Sequence, residues 1–125
     1  MDKILVVDDE PEVCDALKVF FSLKNYAVET ALDGHTAIMK TEEFNPHIVL
    51  LDIRMPEMGG IDVLKKIRNI NPQIGIIMVT AVNDERISQK TIQLGAYDYI
   101  TKPINLQNLA NVIMVKMKDI RSNLQ

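Results

Sequence analysis

Apolar residues in this chain gather into five short runs, separated by longer stretches with helical spacing. Residues 3–7, with Ile4-Leu5-Val6-Val7, read as a buried strand that ends in Asp8-Asp9. A shorter strand covers Ala27–Ala31. The third run, Ile48-Val49-Leu50-Leu51, stops at Asp52. Residues 74–80, with Ile76-Ile77-Met78-Val79, end in Thr80, and residues 97–101 lead into Lys102-Pro103. Unbroken apolar runs of this length suit strands that are covered on both faces.

The intervening stretches read as helices. Pro11 stands where a first helical turn tolerates proline, with Asp8 or Asp9 available as a capping carboxylate. Val13, Ala16, Leu17, Phe20 and Phe21 then fall on one helical face, and the helix should stop near Lys24-Asn25. Asp33-Gly34 is a turn into a helix with Ala37, Ile38, Thr41 and Phe44 inward, ended by Asn45-Pro46. A long loop from Asp52 to Gly60 precedes a helix over 61–70. The helix over 84–94 is capped by Asn83 or Asp84 and closed by Gly95. Its apolar stripe is only Ile87, Thr91 and Leu94, so it should be held loosely, as a mobile surface helix or as a low-stability switch element. The last helix begins near Asn105 and turns Leu106, Leu109, Ala110, Ile113, Met117 and Ile120 to one face.

Alternation of five strands with five helices implies an α/β fold, a parallel sheet covered on both faces. The first, third and fourth strands are wholly apolar and belong in the centre. The second carries Glu29 and the fifth Asp98, which places them at the edges. Right-handed crossovers between near neighbours then favour the order 2-1-3-4-5, a doubly wound, flavodoxin-like sheet. In that order the winding reverses between strands one and three, and ligands of such sheets bind at the carboxyl ends beside the reversal. Asp8, Asp9 and Asp52 stand at those ends.

Composition narrows the class. With 125 residues, 47% hydrophobic and 25% charged, the chain reads as one globular domain over 1–125, with 119–125 a fraying helix end or the start of a linker. No run approaches the roughly 20 apolar residues of a membrane span. No signal-peptide layout opens the chain, so the expected compartment is the cytoplasm. A net charge of −3 gives no case for direct nucleic-acid binding. The lone Cys14 reads as a packing residue, and the seven methionines as mostly core filling. His35 and His47 sit in or beside loops, with no partners placed for a metal set.

Three converging carboxylates repel one another unless a cation sits among them. A hard, all-oxygen cluster with few protein ligands suits Mg²⁺, for which Mn²⁺ could substitute. Lys102 adds an ammonium and Thr80 a hydroxyl. Around one isolated carboxylate, these are the parts that phosphoryl transfer requires: neutralised equatorial oxygens and an attacking oxygen held in line. Asp52 would be the nucleophile and would form an acyl phosphate. Taken singly, each residue has a plainer reading. Asp52 could be a turn acid, Asp8-Asp9 a helix cap, Thr80 a strand-end hydroxyl, Lys102 a solvated lysine and Tyr99 a half-buried edge aromatic.

Four motifs in order carry a resemblance along the whole chain: Val6-Val7-Asp8-Asp9-Glu10, Leu50-Leu51-Asp52 through Pro56 to Gly60, Val79-Thr80-Ala81, and Gly95-Ala96-Tyr97-Asp98-Tyr99-Ile100-Thr101-Lys102-Pro103. The chain resembles a response-regulator receiver domain of a two-component phosphorelay. The resemblance implies that Asp52 accepts the phosphoryl group, and that Asp8, Asp9, Asp52 and the backbone carbonyl of Arg54 hold Mg²⁺, Asp8 through a metal-bound water. It implies that Lys102 contacts phosphoryl oxygens and that Pro103 follows a cis peptide bond. Thr80 becomes the switch hydroxyl and Tyr99 the aromatic that turns inward behind it. The fourth helix, fifth strand and fifth helix then form the surface that changes. Implied partners are a sensor histidine kinase or histidine phosphotransfer protein upstream, and a downstream effector protein or an effector domain cut away. Phosphorylation-dependent dimerisation is open. Such a domain is a signalling phosphoacceptor, not an enzyme acting on other substrates.

Two departures from the family pattern bear on kinetics. Met58-Gly59-Gly60 stands where Met-Asp-Gly or Met-Asn-Gly is common, so a looser loop is expected, without loss of chemistry. Arg54 and Val82 flank the site and are expected to set the phosphorylated lifetime. Competing functions fit less well. A Mg²⁺-dependent phosphatase with an aspartyl nucleophile typically has a second acid two residues on, where this chain has Arg54. A flavodoxin-like binder needs a phosphate-cradling loop after the first strand, where this chain has the acidic, glycine-free Asp8-Asp9-Glu10-Pro11. A degenerate receiver would lack a site residue, and none is missing.

Overall fold

A computed structural model describes residues 1–123. The elements run β1 (Lys3–Val7), α1 (Pro11–Ser22), β2 (Ala27–Ala31), α2 (Gly34–Phe44), β3 (Ile48–Leu51), α3 (Gly60–Ile70), β4 (Gly75–Thr80), α4 (Glu85–Gln93), β5 (Asp98–Thr101) and α5 (Leu106–Asn123). All strand pairs are parallel, and the sheet order is β2-β1-β3-β4-β5, as the apolar pattern predicts. Helix α5 runs through residues 119–123; the rest of the expected fraying end lies outside the described residues.

Strand alternation divides the core into two layers. Ile4, Val6, Leu50, Ile77 and Val79 face α1 and α5, where they meet Leu17, Phe21, Leu109 and Ile113. Leu5, Val7, Val49, Leu51, Ile76 and Met78 face the other side, against Val63, Leu64 and Ile67 of α3, with Ala37 of α2 and Leu94 beside them. Each fully buried side chain of this size contributes about 1.5–3 kcal/mol relative to exposure. The sheet is therefore a rigid platform whose carboxyl ends project loops on one edge.

Several expectations are corrected. Ala16 is exposed, and Cys14 takes its place with Leu17 and Phe21 on the buried face of α1. Leu106 is also exposed, at the very start of α5, one turn before the buried Leu109–Ala110. Met55, Met78 and Met117 are buried and Met58 packs half-buried against the same core, so four of the seven methionines fill it, as expected. Neither Asp8 nor Asp9 caps α1. Glu10 is its N-cap residue and makes no side-chain cap, while the Asp8 carboxylate accepts the Glu10 N–H. By contrast, Asp33 caps α2 by accepting the Thr36 N–H, and Asp84 caps α4 by accepting from Arg86 and Ile87. Thr91 is the one buried residue of α4, which fits its thin apolar stripe.

Candidate functional site

The sheet ladders run one residue past three strands and so fix the backbone of the site. The Asp8 N–H donates to the Ala31 carbonyl (3.1 Å), the Asp52 N–H to Val7 (3.0 Å) and the Lys102 N–H to Thr80 (2.8 Å). Each functional side chain thus leaves from a position whose main chain is already paired to a neighbouring strand. Beyond Asp52 the loop is closed by the Gly60 N–H donating to the Ile53 carbonyl at 2.8 Å.

The side chains of Asp8, Asp52 and Lys102 converge. The Lys102 ammonium lies 2.7 Å from Asp8 Oδ2, 3.4 Å from Asp52 Oδ2 and 3.4 Å from Glu10 Oε1. The other oxygen of Asp52 accepts the Ile53 N–H at 2.7 Å. Asp8 and Asp52 are both buried, at 2% and 5% exposure. Two carboxylates so withdrawn from water need a counterion, and Lys102 is that counterion. Burial pushes the Asp8 carboxyl above its usual range, and Asp52 acts in the same direction; the Lys102 contact and the Glu10 N–H oppose this. For Lys102, burial works against the charge, but the hydrogen bond to Asp8 and the nearby Asp52 outweigh it and raise the ammonium pKa.

An oxygen-rich cluster adjoins this pair. Carboxylate oxygens of Asp8, Asp9 and Glu10 lie within 4.8 Å of one another, with Asp9 and Glu10 exposed. This donor set is all oxygen and anionic, and it fits a small hard divalent cation. The expected metal set of Asp8, Asp9 and Asp52 is therefore only partly gathered by direct proximity. Asp8 belongs to the acid trio, and Asp52 joins it through Lys102. Glu10 stands in the cluster and pairs with Lys102, a role that sequence reading missed. The unbroken run of acids at 8, 9 and 10 was the available signal. Arg54 is exposed, and among the described residues its side chain forms no ion pair or hydrogen bond.

Thr80 and Tyr99 are linked through the backbone that follows β4. The fully buried Thr80 hydroxyl accepts the Val82 N–H at 3.2 Å, and the Tyr99 hydroxyl donates to the Val82 carbonyl. Among the described residues, no hydrogen bond joins the Thr80 hydroxyl to Asp52 or Lys102. Burial, with Asp84 and Asp52 nearby, raises the Tyr99 pKa, which keeps its hydroxyl a donor at neutral pH. The Lys102–Pro103 peptide bond is cis, as expected. Cys14 is buried, and burial first, then the Asp8 charge, pushes its thiol up to about 11; its Sγ donates to the Asp8 carbonyl.

The two loop glycines have different causes. Gly59 has an ordinary φ of −73° and serves as N-cap of α3 without a side chain to cap it. A Cβ on Gly60 would lie 2.0 Å from the Asp52 carbonyl oxygen, so this helix start packs directly on the backbone of Asp52. The left-handed residue of the loop is Glu57, with φ 66°. The loop is thus closed tightly at Gly60 by a 2.8 Å hydrogen bond, while a Cβ at Gly59 would meet only Ile53 O, at 3.4 Å.

Comparison with known proteins agrees with this geometry. The family model described as "Response regulator receiver domain" matches residues 4–114. The chain is 35% identical over 122 residues to the regulatory protein AtoC of Escherichia coli (strain K12), covering 98% of this chain and 26% of that protein. It is 39% identical over 103 residues to the alkaline phosphatase synthesis transcriptional regulatory protein PhoP of Bacillus subtilis (strain 168), covering 82% of this chain and 43% of that protein. The chain thus spans less than half the length of these relatives. Among solved structures, a CheY-like response regulator receiver domain protein from Methanospirillum hungatei JF-1 superposes with a TM-score of 0.95 at 30% identity, covering 98% of each chain. A chain of the CheX-CheY-BeF3-Mg+2 complex from Borrelia burgdorferi superposes with a TM-score of 0.86 at 30% identity, covering 91% of this chain and 87% of that one.

Proposed function

The chain belongs to the response regulator receiver family, and we propose that it works as a phosphoryl-accepting switch whose acceptor is Asp52. The observation that carries this reading is the Lys102 ammonium, 3.4 Å from Asp52 and 2.7 Å from Asp8 across three strand ends. Asp52 lies at the end of central strand β3, buried, with one oxygen held by the Ile53 N–H and the other facing a cation. In the transfer, an Asp52 oxygen attacks phosphorus and the bond from phosphorus to the donor breaks. The donor is a phosphohistidine on a kinase or phosphotransfer protein, and an acyl phosphate results.

Asp8, Asp9 and Asp52, with the backbone carbonyl of Arg54, would hold Mg²⁺, and Glu10 adds an acid at the rim. The cation supplies charge neutralisation for the phosphoryl oxygens. A receiver of this family in a solved complex was crystallised with Mg²⁺ and a beryllofluoride group, which supports the same pairing here. Lys102 neutralises a second phosphoryl oxygen, and Thr80, at the carboxyl end of the neighbouring strand β4, supplies the switch hydroxyl. The domain occupies 1–125 as a single unit, acts in the cytoplasm, and turns over no substrate besides its own acyl phosphate. Its longer relatives include proteins named as transcriptional regulatory proteins, so the output of this chain passes to an effector domain or partner through α4, β5 and α5.

The test is mass measurement after incubation with acetyl phosphate and Mg²⁺. One added phosphate, absent in Asp52→Asn, is the expected result. Retention of the adduct in that variant would place the acceptor elsewhere. Steady hydrolysis of phosphate esters without any adduct would instead indicate a phosphatase.

A further inference from the structure

Arg68, near the end of α3, is a half-buried cation with no carboxylate beside it among the described residues. Its guanidinium donates to backbone carbonyls. Nε and Nη2 reach Gly95 O at 3.2 and 2.7 Å, and Nη1 reaches Pro72 O at 3.1 Å and Asn71 O at 3.4 Å. Burial lowers the pKa of this side chain. Carbonyls gripped by a planar fork make the contact directional as well as strong. Gly95 answers it with a fit of its own. Its φ of +109° favours glycine, and a Cβ there would lie 2.7 Å from Arg68 Nε.

Gly95 closes the C-terminal end of α4. That end is also tied by the Ala96 N–H donating to Thr91 O and the Tyr97 N–H donating to Ile76 O. Thr91 and Ala96 are buried there. The N-terminal end differs. Asn83, Glu85 and Arg86 are exposed, and Asp84 caps only its own helix. What restrains it is Val82, clipped by the hydroxyls of Thr80, at the carboxyl end of β4 next to β3, and of Tyr99 in β5.

We propose that Arg68 is a positioning residue that fixes the C-terminal end of α4 as a fulcrum, so that a change at the Asp52 site is delivered as a swing of the N-terminal end. The proposal rests on the phosphoryl-switch reading above. Arg68 touches none of the reacting groups and acts through the Gly95 carbonyl. Because the Val82 clip lies at the N-terminal end, a helix anchored at its other end converts a small loop adjustment into displacement at the clip. Without the anchor, the same adjustment would be spread over the whole helix.

The test is amide hydrogen exchange on the full chain, as wild type, Arg68→Met and Arg68→Lys, each with Mg²⁺ alone and with acetyl phosphate added. In wild type, phosphorylation should alter exchange over residues 82–88 and leave 91–97 nearly unchanged. Arg68→Met without phosphate should speed exchange over 91–97 by about tenfold, as loss of a charge-assisted hydrogen bond implies, with β1, β3 and β4 unaffected. With phosphate, its response should extend along all of α4. Arg68→Lys retains the charge but not the fork, and should fall between; it carries the comparison if Arg68→Met does not fold. Unchanged exchange over 91–97 in these variants, or equal responses at both ends of α4 in wild type, would overturn the fulcrum. Failure of wild type to gain phosphate mass overturns the switch reading and the swing together, while exchange without phosphate still decides whether Arg68 anchors the helix.

Discussion

The Tyr99 hydroxyl donates a hydrogen bond to the carbonyl of Val82, a residue 17 positions earlier that also gives its N–H to Thr80. One backbone unit is therefore held on both sides, by a side chain of β4 and one of β5. Tyr99→Phe keeps the ring packing and removes the donor. We expect a loss of about 1 kcal/mol in stability, the ordinary cost of one such bond, and faster amide exchange at Asn83 and Asp84. Denaturant unfolding and exchange measure the two effects. Unchanged exchange at those amides would show that the bond does not restrain the loop.

The loop glycines give opposite predictions. Gly59 has an unstrained φ, and a Cβ added there would meet only Ile53 O, at 3.4 Å. Gly59→Ser should therefore stabilise the domain by about 0.5–1 kcal/mol, by restricting the unfolded chain and adding a cap to α3. Gly60→Ala should destabilise it by about 2 kcal/mol or more, because the methyl would collide with the Asp52 carbonyl. It should also impair phosphate uptake. Urea midpoints of the two variants, set beside wild type, check the signs.

His47 links three strand starts. Its N–H donates to the Lys3 carbonyl, its Nδ1 accepts the Lys3 N–H at 2.9 Å, and its carbonyl accepts the Gly75 N–H. Burial, then the charges of Lys3 and the N-terminal amine, lower its pKa in the folded state. The sign follows from linkage. The unfolded chain takes up the proton first as pH falls, so this stability is full above about 6.5 and is lost below it, towards the lower folded pKa. His47→Gln, which can still accept from Lys3, should flatten the decline between pH 7 and 5. Parallel stability curves for both proteins would assign the decline to other groups.

Lys102 and a divalent cation compete for Asp8. The ammonium, 2.7 Å from Asp8 Oδ2, neutralises the pocket in the absence of metal. Lys102→Ala should therefore tighten Mg²⁺ binding about threefold to tenfold, since an opposing charge is removed. The metal-free protein should lose on the order of 3 kcal/mol, because Asp8 and Asp52 are left buried together. Phosphate uptake should fall despite the tighter metal. Titration calorimetry reads the first effect; weaker Mg²⁺ binding would mean that Lys102 supports the metal site instead of competing with it.

The fold and the acceptor site are legible in the sequence because both are written in strand ends. Unbroken apolar runs such as Ile48–Leu51 mark central strands, and the residue that ends each run falls at the site by topology. Helix faces are less legible. A stripe of apolar residues defines its width but not its centre, which is why the pattern turns Ala16 and Leu106 inward while Cys14 holds the core. Least legible are contacts to backbone carbonyls. Arg68 and Gly95 stand 27 residues apart, and no side-chain pattern announces that one grips the other's main chain. The Tyr99–Val82 bond is hidden for the same reason.

Arg54 and Val82 flank the acceptor in sequence terms as a pair that sets the phosphorylated lifetime, and their surroundings separate them. Val82 is buried at 7% exposure, so Val82→Glu would bring an unpaired carboxylate into the loop clipped by Thr80 and Tyr99. A changed lifetime in that variant would mix chemistry with distortion. Arg54 is exposed two residues after Asp52, and removing its side chain costs no contact among the described residues. Its cation is free to pair with a phosphoryl oxygen or to obstruct the water that attacks phosphorus. Arg54→Asn should therefore leave stability within about 0.5 kcal/mol of wild type, as for surface substitutions generally, while speeding dephosphorylation severalfold. The decay of the phosphorylated mass after removal of acetyl phosphate measures the rate. Coincident decays for Arg54→Asn and wild type would take the side chain out of the hydrolytic step and leave the lifetime to Val82 and the loop it anchors.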